Sequence, residues 1–254
     1  GNAVDRHGGW HLGDDLDCYH SVVVEDANVY EQYWGCLSAT EETIQNIHAS
    51  GFNTIRIPVT WEQKLDANDH IADFWMDRVQ EVVDYAYNDG MYVILNLHHD
   101  TNFGWLQASE SSWNNYQDRF ASIWTQISDR FEDYDDRLMF EGFNEILDEA
   151  GDWGFWDDDA LTRRDDAIIY TNKWNQLFVD TVRTGKGNNP QRVLICNTYA
   201  ASCMENVLSG SVRFELPEDT IKDRLITDIH FYHPYDFVDD VNGSTVYTNE
   251  IKQQ

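Results

Sequence analysis

Residues 138–145 read LMFEGFNE, a short apolar run that ends in the polar pair Asn144 and Glu145. A run of this length, bounded by turn signals, is typical of a buried strand in a parallel sheet. Four further runs have the same character, at 53–58 (NTIRIP), 91–97 (MYVILNL), 191–196 (QRVLIC) and 225–230 (LITDIH). We therefore predict a core of parallel strands.

Amphipathic stretches separate these runs. Residues 40–50, 74–89, 113–134 and 171–185 carry apolar side chains three and four positions apart, as helices do. Gly51, Gly90 and Gly185 stand where helices are expected to end. The alternation of strand and helix, with no Pro- or Ser-rich linker, predicts one α/β domain over residues 1–254.

Charge and cysteine content exclude several classes of function. The 254 residues include 46 Asp and Glu against 17 Lys and Arg, a formal net charge of −29 that repels nucleic acid. No apolar run is long enough to cross a bilayer, so no membrane partner is expected. The cysteines are too few and scattered for a disulfide scaffold or a CxxC-type zinc site, although one or two disulfides are compatible with their number: Cys18, Cys36, Cys196 and Cys203. Cys196 lies in a predicted strand, where a buried free thiol is expected.

Polar residues stand at the carboxyl ends of the predicted strands. A nucleotide-binding doubly wound sheet would need a Gly-rich turn after a strand, and the chain contains neither GxGxxG nor GxxxxGK[ST]. In a (β/α)8 TIM barrel, by contrast, the strand ends converge on one mouth. We therefore predict a barrel whose cleft gathers Arg56, His98, Glu145 and His230.

Each of these residues also has a plainer interpretation. Arg56 alone would indicate a structural ion pair, and Asn144 with Glu145 alone would indicate a helix cap beside a surface carboxylate. A metal-dependent barrel hydrolase could use an aspartate with His98, His99, His230 and His233. Such barrels usually carry a His-x-His pair on an early strand, and this chain has none, so no metal or cofactor is expected.

Glu145 carries the most specific chemistry. An apolar strand delivers its carboxyl group to the predicted mouth, an environment that favours the protonated form. A carboxyl group that stays protonated near neutral pH can donate its proton to a leaving glycosidic oxygen, as a retaining glycosidase requires. Asn144 could hold the adjacent sugar hydroxyl.

Five motifs occur in an order and spacing that resemble glycoside hydrolase family 5, the cellulase-type barrels with carboxylates on strands four and seven. In chain order they resemble the ends of strands one, two, three, four and six: GNAVD at 1–5, GFNTIRIPVTW at 51–61, LNLHH at 95–99, FEGFNE at 140–145 and HFYHPY at 230–235. The resemblance implies a (β/α)8 barrel that this chain covers from the end of strand one through strand six.

The resemblance also implies roles for individual residues. Glu145 would be the catalytic acid/base, Asn144 a partner of the substrate, and Arg56 the neighbour that keeps the nucleophile ionised. Three further residues would line the catalytic subsite: His98, His230 and Tyr232. Glycan-contacting positions are implied at Asn2, Asp5, Trp34, Trp61 and His99.

Two features depart from the family pattern. Ile146 stands where the family usually has Pro, which affects the rigidity of the turn rather than the chemistry. The segment that bears the nucleophilic Glu on strand seven is absent from the sequence, as are strand eight and the start of strand one. Because six strands alone leave the barrel open at two edges, we expect a complementary segment that carries strands seven and eight with this Glu.

The expected substrate is a β-1,4-glucan: cellulose, mixed-linkage glucan or xyloglucan. Ten Trp and 13 Tyr suit a cleft in which aromatic faces support pyranose rings. Two alternatives remain open, namely a β-mannanase of the same family and a non-catalytic carbohydrate-binding barrel. Action on such a polymer implies a secreted or cell-surface protein.

Overall fold

A computed structural model describes residues 8–19, 23–101, 104–151, 160–232, 234 and 238. Its six strands form one parallel sheet in which spatial order follows chain order. The strands are β1 (Gly9–His11), β2 (Thr54–Ile57), β3 (Tyr92–Asn96), β4 (Leu138–Glu141), β5 (Leu194–Asn197) and β6 (Leu225–Asp228). Each strand pairs with the next one along the chain, as in a barrel opened on one side.

Helices connect the strands. They are α1 (Ala27–Glu31), α2 (Glu41–Ala49), α3 (Asp73–Asn88), α4 (Glu110–Arg130), α5 (Ala160–Arg183) and α6 (Glu205–Leu208). Thr40 caps α2 and Ser109 caps α4, each accepting a bond from a backbone N–H in the first turn. Gly51 and Gly90 follow α2 and α3 with φ of +102° and +92°, a backbone conformation that glycine adopts without strain. Among the described helices, none is both long and apolar enough to cross a bilayer.

The core lies on both faces of the sheet. All four residues of β4 and all four of β5 are buried, which accounts for their nearly continuous apolar sequences. Outside the sheet, Trp124 of α4 packs on Phe140 and on Phe178 of α5, with ring centroids 5.5 and 4.6 Å apart. Trp124 Nε1 also donates to the carbonyl of Gly142 at 3.1 Å, which fixes the strand end that leads to Glu145.

The predicted strands and helices are confirmed, with one important correction. The prediction that strand one ends at residues 1–5 is wrong, because the strand that pairs with Thr54–Arg56 of β2 is Gly9–His11. This three-residue strand, GWH, has no apolar run of its own and so carries no periodic signal. Residues 1–5, including Asn2 and Asp5, lie outside the described residues.

Smaller differences concern element lengths and the cysteines. Helix α5 begins at Ala160, eleven positions before the predicted start at 171, and α1 and α6 were not predicted. All four cysteines are free, and Cys196 is buried as expected. The predicted strand at 191–196 begins later, because Pro190 belongs to a 3-10 turn over Asn189–Gln191.

Strands β1 and β6 form the two edges of the sheet. All three residues of β1 are exposed, and Trp10 keeps 43% of its surface in solvent. At the other edge, Ile229 and Phe231 follow β6 with 42% and 65% exposed. Parallel strands in soluble proteins are normally covered on both faces, so β1 is unusually open within the part of the chain that the structure describes.

Candidate active site

A buried carboxylate and guanidinium stand at the centre of the carboxyl ends of the strands. Arg56 of β2 donates Nε and Nη2 to Glu141 of β4 at 2.7 and 2.6 Å. The Glu141 side chain is 1% exposed, and its Oε1 also accepts from the amides of Asn96 and Asn197 at 3.2 Å each. Asn96 and Asn197 come from β3 and β5, the two strands that pair with β4, and Arg56 reaches Glu141 from β2 across β3, so the order of the strands brings the ion pair together.

Arg56 in turn orients the residue before Glu145. Its Nη2 donates to Asn144 Oδ1 at 2.9 Å, and the backbone N–H of Asn144 donates to the carbonyl of Leu97 at 2.8 Å. With Oδ1 committed to the guanidinium, the Asn144 amide presents Nδ2 as its donor. The arrangement links β2 to the acid-bearing turn after β4.

Arg56 also fixes His11, which the sequence analysis did not single out. Arg56 Nη1 lies 3.2 Å from His11 Nδ1, and because a guanidinium only donates, this ring nitrogen accepts. Desolvation of the ring among its neighbours and the adjacent Arg56 charge lower the pKa of His11 to about 4. His11 is therefore a neutral imidazole near neutral pH.

Glu145 and His230 meet directly across the carboxyl ends of the strands. Their side chains are 13% and 20% exposed, and Glu145 Oε1 lies 2.5 Å from His230 Nδ1. On the other side of the ring, Nε2 lies 3.3 Å from Asp228 Oδ2. Burial opposes the charged form of His230, but the hydrogen bonds and charges of Asp228 and Glu145 outweigh it and raise its pKa to about 9.

The turn after β5 holds both sides of this contact through its backbone. The N–H of Ala200 donates to the carbonyl of Ile146 at 3.0 Å, and the carbonyl of Ala201 accepts from the N–H of His230 at 2.8 Å. Both alanines have positive φ, of 54° and 49°. Such conformations are costly for alanine and persist where surrounding structure enforces them, often at functional sites.

Asp17, His98 and His99 form a second polar cluster beside the first. Asp17 Oδ2 lies 3.8 Å from His98 Nε2 and 3.7 Å from His99 Nε2, and one potential ligand atom from each residue lies within 4.8 Å of the others. Burial raises the pKa of Asp17 to about 6 and lowers the pKa of both histidines. One carboxylate and two neutral imidazoles could in principle hold zinc.

The hydrogen bonds of His98 favour a different role. Asn96 Oδ1 accepts from the N–H of Val59 at 3.2 Å, which turns its amide nitrogen toward His98 Nδ1, 3.1 Å away. His98 Nδ1 is therefore an acceptor, and the neutral ring carries its proton on Nε2, the atom that faces Asp17. A metal ion would need the lone pair at that atom, so His98 is arranged to donate a hydrogen bond. Of the other predicted candidates for a metal, His230 contacts Glu145 and Asp228, and His233 lies outside the described residues.

The predicted aromatic contacts divide into two groups. Trp34 is 40% exposed and packs edge-on against His99, with centroids 5.4 Å apart, and Tyr232 is 46% exposed with its ring 6.4 Å from that of His230. Trp61 is different, because it is fully buried and its Nε1 donates to the Asn96 carbonyl at 3.1 Å. The prediction that Trp61 contacts a sugar is wrong, since its indole belongs to the core.

Several residues that build the site were not predicted from the sequence: His11, Asp17, Asn96, Glu141, Asn197 and Asp228. A usable signal existed for Glu141 and Asp228, because each is a charged residue inside an otherwise apolar strand. Charged side chains are almost never fully buried without a partner. Such positions therefore predict an ion pair at the carboxyl ends of the strands.

The fold and this site define a partial (β/α)8 barrel of the glycoside hydrolase type, with carboxylates, histidines and an arginine at the carboxyl ends of its strands. The chain belongs to glycosyl hydrolase family 5. Residues 19–254 match the family described as Cellulase (glycosyl hydrolase family 5).

Characterised relatives agree with this assignment. Endoglucanase A of Ruminococcus albus is 39% identical over 92% of this chain and 60% of its own length, and Endoglucanase B of the same organism is 38% identical over 95% and 55%. Among solved structures, the family 5 enzyme PbGH5A from Prevotella bryantii B14 has a TM-score of 0.89 at 37% identity, covering 98% of this chain and 70% of that one. A GH5-4 broad specificity endoglucanase from Ruminococcus champanellensis with bound cellotriose has a TM-score of 0.84 at 38% identity, covering 95% and 68%. The chain thus spans somewhat more than half the length of these curated relatives.

If Trp34 supports a sugar ring, Trp34→Ala should raise KM for a soluble glucan about tenfold and leave kcat within about twofold, because stacking is lost and the reacting groups stay in place. Initial-rate kinetics on a soluble glucan test this. Trp34→Phe, which keeps an aromatic face, should recover most of the affinity. An unchanged KM in the alanine variant would remove Trp34 from the cleft.

Proposed function

We propose that this protein is a retaining, endo-acting glycoside hydrolase that cleaves β-1,4-glucan. The observation that carries the proposal is the placement of Glu145 at the carboxyl ends of the strands, where its carboxyl group contacts His230 and where the preceding residue, Asn144, is bonded to Arg56. A proton donor there is what departure of a glycosidic oxygen requires.

The reaction would proceed in two displacements. In the first, Glu145 gives a proton to the leaving oxygen while a second carboxylate attacks the anomeric carbon; in the second, Glu145 accepts a proton from the water that releases the sugar. A retaining mechanism needs the two carboxyl groups about 5 Å apart. Asn144, His98, Tyr232 and His11 would bind and orient the sugar around that bond, and Arg56, which bonds Glu141, Asn144 and His11, would keep the second carboxylate ionised.

The second carboxylate is proposed to lie on a complementary segment that supplies strands seven and eight. The exposed edges of the described sheet support this, because β1 is exposed on one side, and Ile229 and Phe231 beyond β6 expose apolar surface on the other. Two further strands between these edges would close a barrel of eight. This segment would bring a Glu toward Arg56 and Glu145.

The substrate class is proposed from chemistry and from relatives. The relatives are called endoglucanases, a lichenase and broad specificity endoglucanases, and solved complexes hold cellotriose, cellotetraose or a xyloglucan oligosaccharide. Because such polymers lie outside cells, we propose that this protein acts there.

A panel of soluble polysaccharides tests the proposal with the full-length protein. We expect cleavage of mixed-linkage glucan, carboxymethyl cellulose or xyloglucan, with a rapid fall in viscosity and a β-anomer as the first product in proton NMR. An α-anomer would overturn the retaining mechanism. Preference for mannan would make the protein a β-mannanase, and glucan binding without cleavage would make it a carbohydrate-binding barrel.

A further inference from the structure

His230 lies between two carboxylates, only one of which belongs to the proposed catalytic pair. Nδ1 faces Glu145 Oε1 at 2.5 Å and Nε2 faces Asp228 Oδ2 at 3.3 Å. Asp228 is the last residue of β6, and strand alternation places its side chain on the same face as that of His230. The strand therefore delivers both residues to the site together.

Both ring nitrogens of His230 are placed as donors. Carboxylates only accept, so a neutral imidazole could serve just one of them, whereas an imidazolium serves both. The pKa of His230, raised to about 9, agrees with this geometry. The charged ring is only 20% exposed, so the two carboxylates rather than water provide most of its stabilisation.

The other titratable and charged groups around the His230 ring also affect whether that ring is charged. His11 and His98 face it from β1 and from the end of β3, and both are neutral because desolvation and Arg56 lower their pKa. The Arg56 guanidinium lies near Asp228 and Glu145, opposes a further positive charge, and is itself neutralised by Glu141. Among the described groups facing His230, Asp228 and Glu145 are thus the anions that favour its charged form.

We propose that Asp228 is a positioning residue that retains, on His230, the proton shared with Glu145. This inference rests on the proposed hydrolase function for its catalytic consequence, though not for its structural one. One proton lies between Nδ1 and Oε1. When it moves to Oε1, Glu145 becomes the neutral acid and His230 the neutral Nε2–H tautomer, still bonded to Asp228.

The proton balance closes over one cycle. Glu145 gives this proton to the leaving oxygen as the glycosidic bond breaks, which leaves an ionised Glu145 and a neutral His230. Glu145 then takes a proton from the attacking water, whose hydroxyl joins the anomeric carbon as the bond from that carbon to the second carboxylate breaks, and the shared proton is restored. Loss of the shared proton to solvent at high pH stops the first step, so the proton's affinity for the pair sets the alkaline limb of activity.

Asp228→Asn tests the proposal in the full-length protein. Removing an opposite charge within 4 Å should lower the alkaline limb of kcat/KM by about one pH unit, while the acid limb stays in place. KM near pH 6 should change less than twofold. Asp228→Glu, which keeps the carboxylate, should restore the limb, and the control Asp223→Asn, an exposed change at the start of β6 with the same loss of charge, should leave it unmoved.

Nitrogen NMR of labelled histidine separates this inference from the proposed function. In the unchanged protein at pH 8.5, we expect both nitrogens of His230 to be largely protonated, and in Asp228→Asn, with a pKa about one unit lower, we expect a largely neutral ring at that pH. The NMR measurement does not depend on enzymatic activity. A protein that gives the expected spectra but does not cleave glucan would therefore contradict the hydrolase proposal and leave this inference intact. The inference would be overturned by a largely neutral His230 ring at pH 8.5 in the unchanged protein. It would also be overturned if the alkaline limb of kcat/KM did not shift in Asp228→Asn.

Discussion

Glu145→Gln should reduce kcat/KM on β-glucan by about 10³-fold and leave glucan affinity within about threefold. Glutamine keeps the shape of the side chain and can still accept a bond from His230, but it has no acidic proton to give to the leaving oxygen. Because the variant loses stabilisation of the transition state rather than affinity for the substrate, the reduction should appear in kcat. Steady-state kinetics and isothermal titration with a cello-oligosaccharide measure the two effects.

The leaving group provides a sharper test of the same residue. An aryl β-cellobioside with an acidic phenol needs little protonation to depart, so its first step should lose far less rate in Glu145→Gln than the polysaccharide does. The matched control is Glu149→Gln, an exposed glutamate four positions along the chain whose partner is Ser109. Equal losses on both substrates would show that Glu145 is not the acid, and comparable damage from Glu149→Gln would indicate disruption of the turn.

Much of the fold was predictable because local and global signals agree. Strands β4 and β5 are fully buried and β3 is buried or partly buried along its length, so their sequences are apolar runs that need no tertiary information to detect. Strand β1 was misplaced because it lies at an open edge, where Gly9, Trp10 and His11 bury little and carry no pattern. Its position depends on pairing with β2, a long-range contact.

The sequence predicted several of the residues that form the site, but not the hydrogen bonds between them. Arg56, Asn144, Glu145 and His230 were expected in one cleft, and hydrogen bonds join them there in two pairs, Arg56 with Asn144 and Glu145 with His230. Whether a tryptophan faces the cleft or the core depends on which way a loop turns, and the sequence does not encode that locally. Trp61 was therefore misassigned, because the backbone of 61 and 62 is bound by the buried Asp100.

The second large effect concerns the buried ion pair beneath the catalytic groups. Arg56→Met should lower the free energy of unfolding by about 3 kcal/mol, because Glu141 is 1% exposed and loses two charged hydrogen bonds while staying buried. Urea denaturation with an unchanged m value measures this. Arg224→Met removes a pair with Asp136 that is 29% and 62% exposed, so it should cost less than about 1 kcal/mol.

Adding Glu141→Gln to Arg56→Met distinguishes a buried charge from lost packing. The introduced glutamine is neutral and its carbonyl can still accept from Asn96 and Asn197, so the double variant should recover about half of the lost stability. Activity should not recover, because without Arg56 no guanidinium donates to Asn144 Oδ1, and the Asn144 amide can turn away from the sugar. If the double variant is no more stable than Arg56→Met, packing rather than charge makes Arg56 necessary. If its activity also returns, Arg56 supports the fold without orienting the groups that act on the glycan.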